Sequence, residues 1–155
     1  MEETISREFW IPKLVTIFGV FAGFCNTVLA NFFCDLTFTT FHLTVSLIYM
    51  ALAVATTLYS IRSRLRGPLM IAAVHWSAVV LLTLPAVLGC FGVLPIYGNG
   101  DGYGILLWLL DAALFGVGAL FSEAWMAAGL YAFSVLFAAA MLALIGWGVH
   151  KLQRR

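Results

Sequence analysis

The chain has 155 residues, of which 63% are hydrophobic and only 10% charged, and its formal net charge is +1. Soluble domains run near ~45–50% apolar and ~25% charged, and a chain this short leaves too large a share of its surface exposed to hide such an excess from water. A water-soluble fold is excluded, the lack of any basic stripe or tail argues against nucleic acid as a partner, and the expected surroundings are a lipid bilayer.

Residues 1–13 are mixed in charge and amphipathic. The apolar run after them is about 20 residues long, beyond the ~7–15 of a cleavable signal. It reads as a retained span from Leu14 to Phe33, with Pro12 near its start, where a missing N–H does least harm. A second span runs from Thr39 to Ile61 and a third from Pro68 to Val93. At ~1.5 Å per residue each can cross a hydrocarbon core of ~30 Å. The short links at 34–38 and 62–67 make consecutive spans antiparallel neighbours. Residues 94–104 are rich in glycine and form a turn-rich loop.

The stretch from Ile105 to Val149 reads either as two spans or as a short non-spanning helix followed by one. Positive charge decides. With four spans, Arg7, Lys13, Arg62, Arg64, Arg66, Lys151, Arg154 and Arg155 all fall on one side, which the positive-inside rule makes cytoplasmic. With five, the last three land outside. Asp111 also stands in the middle of the first part, where a carboxylate at bilayer depth is expensive. The expected fold is an all-α integral membrane protein. It is one transmembrane domain, an up-down bundle with spans at about 14–33, 39–61, 68–93 and 122–149, and a short extra outer-side helix at about 105–121, interfacial or re-entrant. Trp10 and Trp147 then mark the inner interface, and Tyr97, Tyr103, Trp108 and Trp125 the outer one. Both termini are expected in the cytoplasm, and the compact loops suit a bacterial cytoplasmic membrane.

Small residues let helices approach closely in a membrane. The last span carries Ala138, Ala139, Ala140, Ala143, Gly146 and Gly148. The outer helix carries Ala112, Gly116 and Ala119, which an α-helix would place on one face.

Ionisable residues inside a membrane are candidate functional groups. His75, beside Trp76, is the best placed. Asn26, Tyr49, Thr83 and Ser134 form a polar layer nearer mid-membrane, suited either to interhelical hydrogen bonds or to a ligand. His75, Trp76, Asn26 and Tyr49 are the candidate ligand-binding set. On the outer side, Asp35, Asp101, Asp111 and Glu123 gather, and His42 joins them. Carboxylates and imidazole suit several divalent ions, so His42, Asp35, Asp111 and Glu123 are the candidate metal set, although their spacing matches no metal motif. Cys34 and Cys90 lie at similar heights and are a candidate disulfide, while Cys25 reads as a small apolar residue. His42 and His75 differ in height by something like 15 Å at ~1.5 Å per residue, which disfavours a haem held between them. No cofactor is expected.

No HExxH, Walker or GxSxG motif is present, and no Cys-x-x-Cys pair. Catalysis is therefore not the expected role. Short loops, small-residue faces and the lack of chemical motifs point to a non-catalytic small subunit of a larger multi-subunit membrane complex, packed against other membrane subunits or another copy of itself. The alternative is a small-solute, lipid or quinone binding or transport component, with a cavity near His75 and the mid-membrane polar layer.

Overall fold

The structure is a computed structural model that describes residues 2–29, 39–94 and 111–153. Four long helices dominate it: α1 (Glu2–Phe24), α2 (Thr40–Arg62), α3 (Arg66–Cys90) and α4 (Met126–Gln153). A π-turn, Cys25–Leu29, extends α1, and two 3-10 segments, Ala112–Leu120 and Glu123–Trp125, precede α4. Among the described residues there is no strand. Segments of all four helices are long and apolar enough to cross a membrane: Phe9–Thr27, Thr40–Arg62, Arg66–Cys90 and Met126–Lys151. The protein is an all-α, multi-pass helical bundle.

The first helix begins earlier than hydropathy alone suggested. It runs through Pro12 rather than starting beside it. Phe9 and Trp10 lie exposed on it, with the Lys13 ammonium 3.9 Å from the Phe9 ring centroid and 5.4 Å from that of Trp10. A cation held on aromatic faces suits an interfacial turn, where the rings are half-immersed and the charge stays wet.

The bundle is built inside out relative to a soluble one. Val74 and Leu81, seven residues apart on α3, are 71% and 72% exposed, and Leu136 on α4 is 70% exposed. Such surfaces are stable only against lipid. The buried seam of α2 contains His42, Ser46, Tyr49, Ala53, Thr57 and Ser60, recurring at helical spacing. Polar and small side chains therefore face inward, where they hydrogen-bond and let backbones approach.

Between α2 and α3 the chain reverses in three residues. The Leu65 N–H donates to the Ser60 carbonyl at 2.9 Å and the Ser63 N–H to that of Tyr59 at 2.8 Å. Arg64 takes the left-handed conformation at φ 57°. This satisfies the carbonyls at the end of α2 much as a Schellman cap does, with Leu65 buried beneath the turn. The tight reversal sets α2 and α3 antiparallel. Ile145 and Val149 of α4 line one groove with Leu69 and Met70 of α3, and Gly148 packs on Ile61 at the end of α2. Ile11 and Pro12 of α1 lie near Ser60 and Pro68. Lys13, Arg62, Arg64, Arg66 and Lys151 thus share one end of the bundle, called the basic end below.

The described end of the stretch expected as an extra outer helix is buried in the bundle. Its described part is a 3-10 helix of nine residues, Ala112–Leu120, in which Ala112, Ala113, Leu114, Gly116, Val117 and Gly118 are all buried. At ~120° per residue a 3-10 helix does not stack positions four apart. Ala112 and Gly116 therefore do not share the face expected for them. Ala112 packs on Gly23 of α1, and Gly116 on His42 and Ser46 of α2.

The sidedness is testable. In a background lacking the native cysteines, Arg64→Cys and Lys151→Cys should react with a membrane-impermeant thiol reagent from the same side, and Phe91→Cys from the opposite side. Labelling of positions 64 and 151 from opposite sides would break the four-span arrangement.

Candidate functional site

A cavity of about 530 Å³ lies between α1, α2 and α3. It runs from Pro12, Ser60 and Pro68 at the basic end to Ala112 and Ala113 of the inserted segment. Its back wall is Tyr49, Ala53 and Thr57 of α2 with Trp76 of α3, all buried. Val20 and Phe24 of α1 and Ile71 of α3, which line its edge, are exposed on the lipid-facing surface. The cavity therefore opens sideways between α1 and α3. Its described lining contains no Lys, Arg, Asp or Glu.

His75 and Trp76 are adjacent in sequence and both line the cavity. Their rings meet edge to face, 4.7 Å between centroids at 71°, and Trp76 is held in turn by Phe137 of α4 at 5.3 Å and 82°. This aromatic chain fixes the imidazole plane. The His75 Nε2 atom is buried and has no hydrogen-bond partner. A buried polar nitrogen left unpaired costs free energy of about 1–3 kcal/mol, which a ligand at that atom would recover. On the opposite wall, Gly19 leaves room for the Tyr49 ring: a Cβ there would stand 3.0 Å from Tyr49 Cε2. The Thr56 and Ser60 hydroxyls donate to the Leu52 and Thr56 carbonyls of their own helix, at 2.8 and 2.7 Å, and keep oxygen lone pairs available to accept.

The sequence offered Asn26 either as a ligand-binding residue or as a member of an interhelical hydrogen-bond layer, and the structure shows it in such bonds. Its Nδ2 donates to Ser46 Oγ at 2.9 Å and lies 3.0 and 3.2 Å from the carbonyls of Ala112 and Ala113. Ser46, which sequence reading did not single out, is the hub of this network. Its hydroxyl donates to the Ala113 carbonyl at 2.8 Å and accepts from Asn26 and from the Gly116 N–H, the latter at 3.1 Å. Its one donor and both lone pairs are thus used. The only advance signal was its place on the α2 seam, four residues after His42 and three before Tyr49.

Of the expected outer metal set, only the side chains of His42 and Asp111 are described. Asp111 does not sit at a surface: it is fully buried, and its Oδ2 accepts from Thr83 Oγ1 at 2.8 Å. Thr83 stands two turns, roughly 10 Å at ~1.5 Å per residue, inside the far end of α3. His42 belongs to the start of α2, where its Nδ1 accepts the Thr39 N–H at 3.0 Å and lies 2.9 Å from Thr39 Oγ1. It caps a helix in the manner of the third residue of a capping box. Among the described residues no three His, Cys, Asp or Glu side chains gather. Asp35 and Asp101 lie outside the described residues, as does the side chain of Glu123. Cys90 carries a free, exposed thiol, and Cys34, its expected partner, lies outside the described residues.

Asp111 lies outside the four spanning helices. Burial raises its carboxyl from 3.8 to about 6, with the Thr83 hydrogen bond pulling the other way. Its second oxygen, Oδ1, is buried and unpartnered.

Removing the hub tests the network. Ser46→Ala strands the Gly116 N–H and one Asn26 proton and should cost about 1–3 kcal/mol of stability. Gly116→Ala should cost more, because its methyl would collide with the His42 backbone carbonyl rather than with a movable side chain. Thermal unfolding in detergent measures both, and a wild-type midpoint for Ser46→Ala would contradict the assignment.

No protein-family model matches this chain, and neither the curated proteins nor the solved structures give a match.

Proposed function

We propose that the protein binds a neutral, membrane-dissolved small molecule in the cavity between α1, α2 and α3, hydrogen-bonded at its polar end by His75. The carrying observation is the unpartnered His75 Nε2 in a cavity whose described lining bears no charge. A buried charge without a countercharge is costly, so the lining selects a ligand whose buried part is uncharged. The volume lies within the ~300–1,000 Å³ of small-molecule sites. The sideways mouth, flanked by lipid-facing Val20, Phe24 and Ile71, suits entry from the bilayer rather than from water. Quinones and neutral lipids have the required chemistry, a polar head on an apolar body. The basic end, with both termini, is assigned to the cytoplasm by the positive-inside rule, and a bacterial cytoplasmic membrane suits the compact loops.

A second reading makes the chain a small subunit that packs against other membrane subunits or a second copy. It is favoured by Ala139, Ala140, Ala143 and Gly146 of α4, which are exposed along one side of the helix where larger residues would keep a neighbour away. The two readings are compatible, since this face and the cavity mouth use different helices.

Mild-detergent purification followed by mass spectrometry of extracted small molecules tests the first reading. Wild-type protein should retain a neutral lipid-soluble compound near one per chain, and His75→Phe should retain about tenfold less, as expected for one lost buried hydrogen bond. Equal retention by the two would contradict it. Native mass spectrometry of the same sample tests the second: a monomer with no protein partner would count against it.

A further inference from the structure

Asp111 is the one described carboxylate inside the bundle, and neither the cavity nor the metal reading accounts for it. It is fully buried, with one oxygen held by Thr83 and the other, Oδ1, without any partner. An ionised carboxylate so placed needs a cation, a metal or several N–H donors. None of the described residues supplies them. All eight Lys and Arg lie at positions 7, 13, 62, 64, 66, 151, 154 and 155, of which the described ones stand at the basic end, opposite the end that Asp111 approaches. The titratable groups on the packed elements are few. Between Lys13 and Thr27, α1 and its π-turn carry only Cys25; the adjoining half of α2 carries His42 and Tyr49; α3 carries Cys90 at its far end and His75 further toward the basic end; and α4 carries only Tyr131 before His150. Tyr49 lies within electrostatic reach of Asp111. Among the described residues no cationic side chain is placed to neutralise it.

The segment that begins at Asp111 also forms one end of the cavity, through Ala112 and Ala113. On its α1 and α2 sides it is fixed by Asn26 and Ser46. Toward α3, the Thr83–Asp111 bond is its one side-chain hydrogen bond among the described residues. The latch to α3 is thus a single carboxyl, and its protonation state decides whether it sits comfortably in an apolar interior.

We infer that Asp111 is a buried proton-binding site: it takes one proton from the aqueous phase, and the neutral carboxyl holds the inserted segment against α3 as the end wall of the cavity. In that state Thr83 Oγ1 donates to Oδ2, and the proton resides on the otherwise unpartnered Oδ1. Ionisation puts an uncompensated charge at the junction and weakens the contact between the segment and α3. The inference stands independently of what occupies the cavity.

The sign follows from burial. The folded state holds the Asp111 proton more tightly than the unfolded chain, so the contribution of this group to stability falls as pH rises from about 4 to about 6 and levels off above. The test is thermal unfolding of the purified full-length protein in detergent across that range and up to pH 8. Wild-type protein should lose stability between about pH 4 and about pH 6, with the decline centred about one pH unit above the ordinary Asp value. Asp111→Asn, which keeps the acceptor for Thr83 and cannot ionise, should abolish that slope and be the more stable protein at pH 8. Thr83→Val, which removes the donor to the ionised form, should move the wild-type midpoint to higher pH. If Asp111→Asn does not fold, infrared spectroscopy of the wild type gives the same answer: a protonated-carboxyl stretch should persist at pH 5, where exposed carboxyls are ionised, and be lost by pH 8. An Asp111→Asn protein with the wild-type slope would overturn the inference, as would a wild-type spectrum with no protonated carboxyl at pH 5.

Discussion

The Ser46 hydroxyl holds together the least regular part of the described structure. Lipid offers no hydrogen bonds, so backbone that is not α-helical is tolerated at membrane depth only where protein covers it and satisfies its polar groups. The Ala112–Leu120 segment meets that condition through two side chains. Ser46 takes the Gly116 N–H and serves the Ala113 carbonyl, and Asn26 reaches Ala112 and Ala113 from α1. The segment also fits because Gly23 and Gly116 let it lie against the backbones of α1 and α2. A 3-10 helix of this length is uncommon on its own. Here tertiary hydrogen bonds add to its own weak ladder.

The cavity depends on the same arrangement. Ala112 and Ala113 form its far end, while α1, packed on Tyr49 at Gly19, leaves the space along α3 open. The chain of rings from Phe137 through Trp76 to His75 then holds the imidazole with the unpartnered Nε2 in the cavity wall. The polar seam of α2 serves both parts. Its far half, Ser46, anchors the inserted segment, and its basic half, Thr57 and Ser60, lines the cavity. A single helix therefore couples the fit of the segment to the shape of the binding space.

The four spans were legible because bilayer thickness imposes a length and an apolar content that few other segments meet. The basic residues correctly separated four spans from five, since the rule they obey acts on charge alone. The inserted segment was legible only as non-spanning. Its 3-10 form depends on Ser46 and Asn26, which are distant in sequence, and nothing local in residues 112–120 distinguishes that form from an α-helix. Asp111 was placed at a surface for a sound reason, the cost of a carboxylate in lipid. The structure evades that cost by surrounding it with protein and Thr83. His42 stands three residues after Thr39, the spacing of a capping box, so its role at the helix start was legible in the sequence. A histidine such as His75 stands out in an apolar helix because it is rare there, whereas a serine such as Ser46 does not.

The central claim is that residues 112–118 are buried, hydrogen-bonded backbone within the bundle and not a surface loop. Hydrogen–deuterium exchange of the protein in lipid nanodiscs measures this directly. Peptides covering Ala112 to Gly118 should exchange as slowly as those from the middle of α2. Exchange of those amides at the rate of an unprotected chain would contradict the account, and with it the end wall of the cavity.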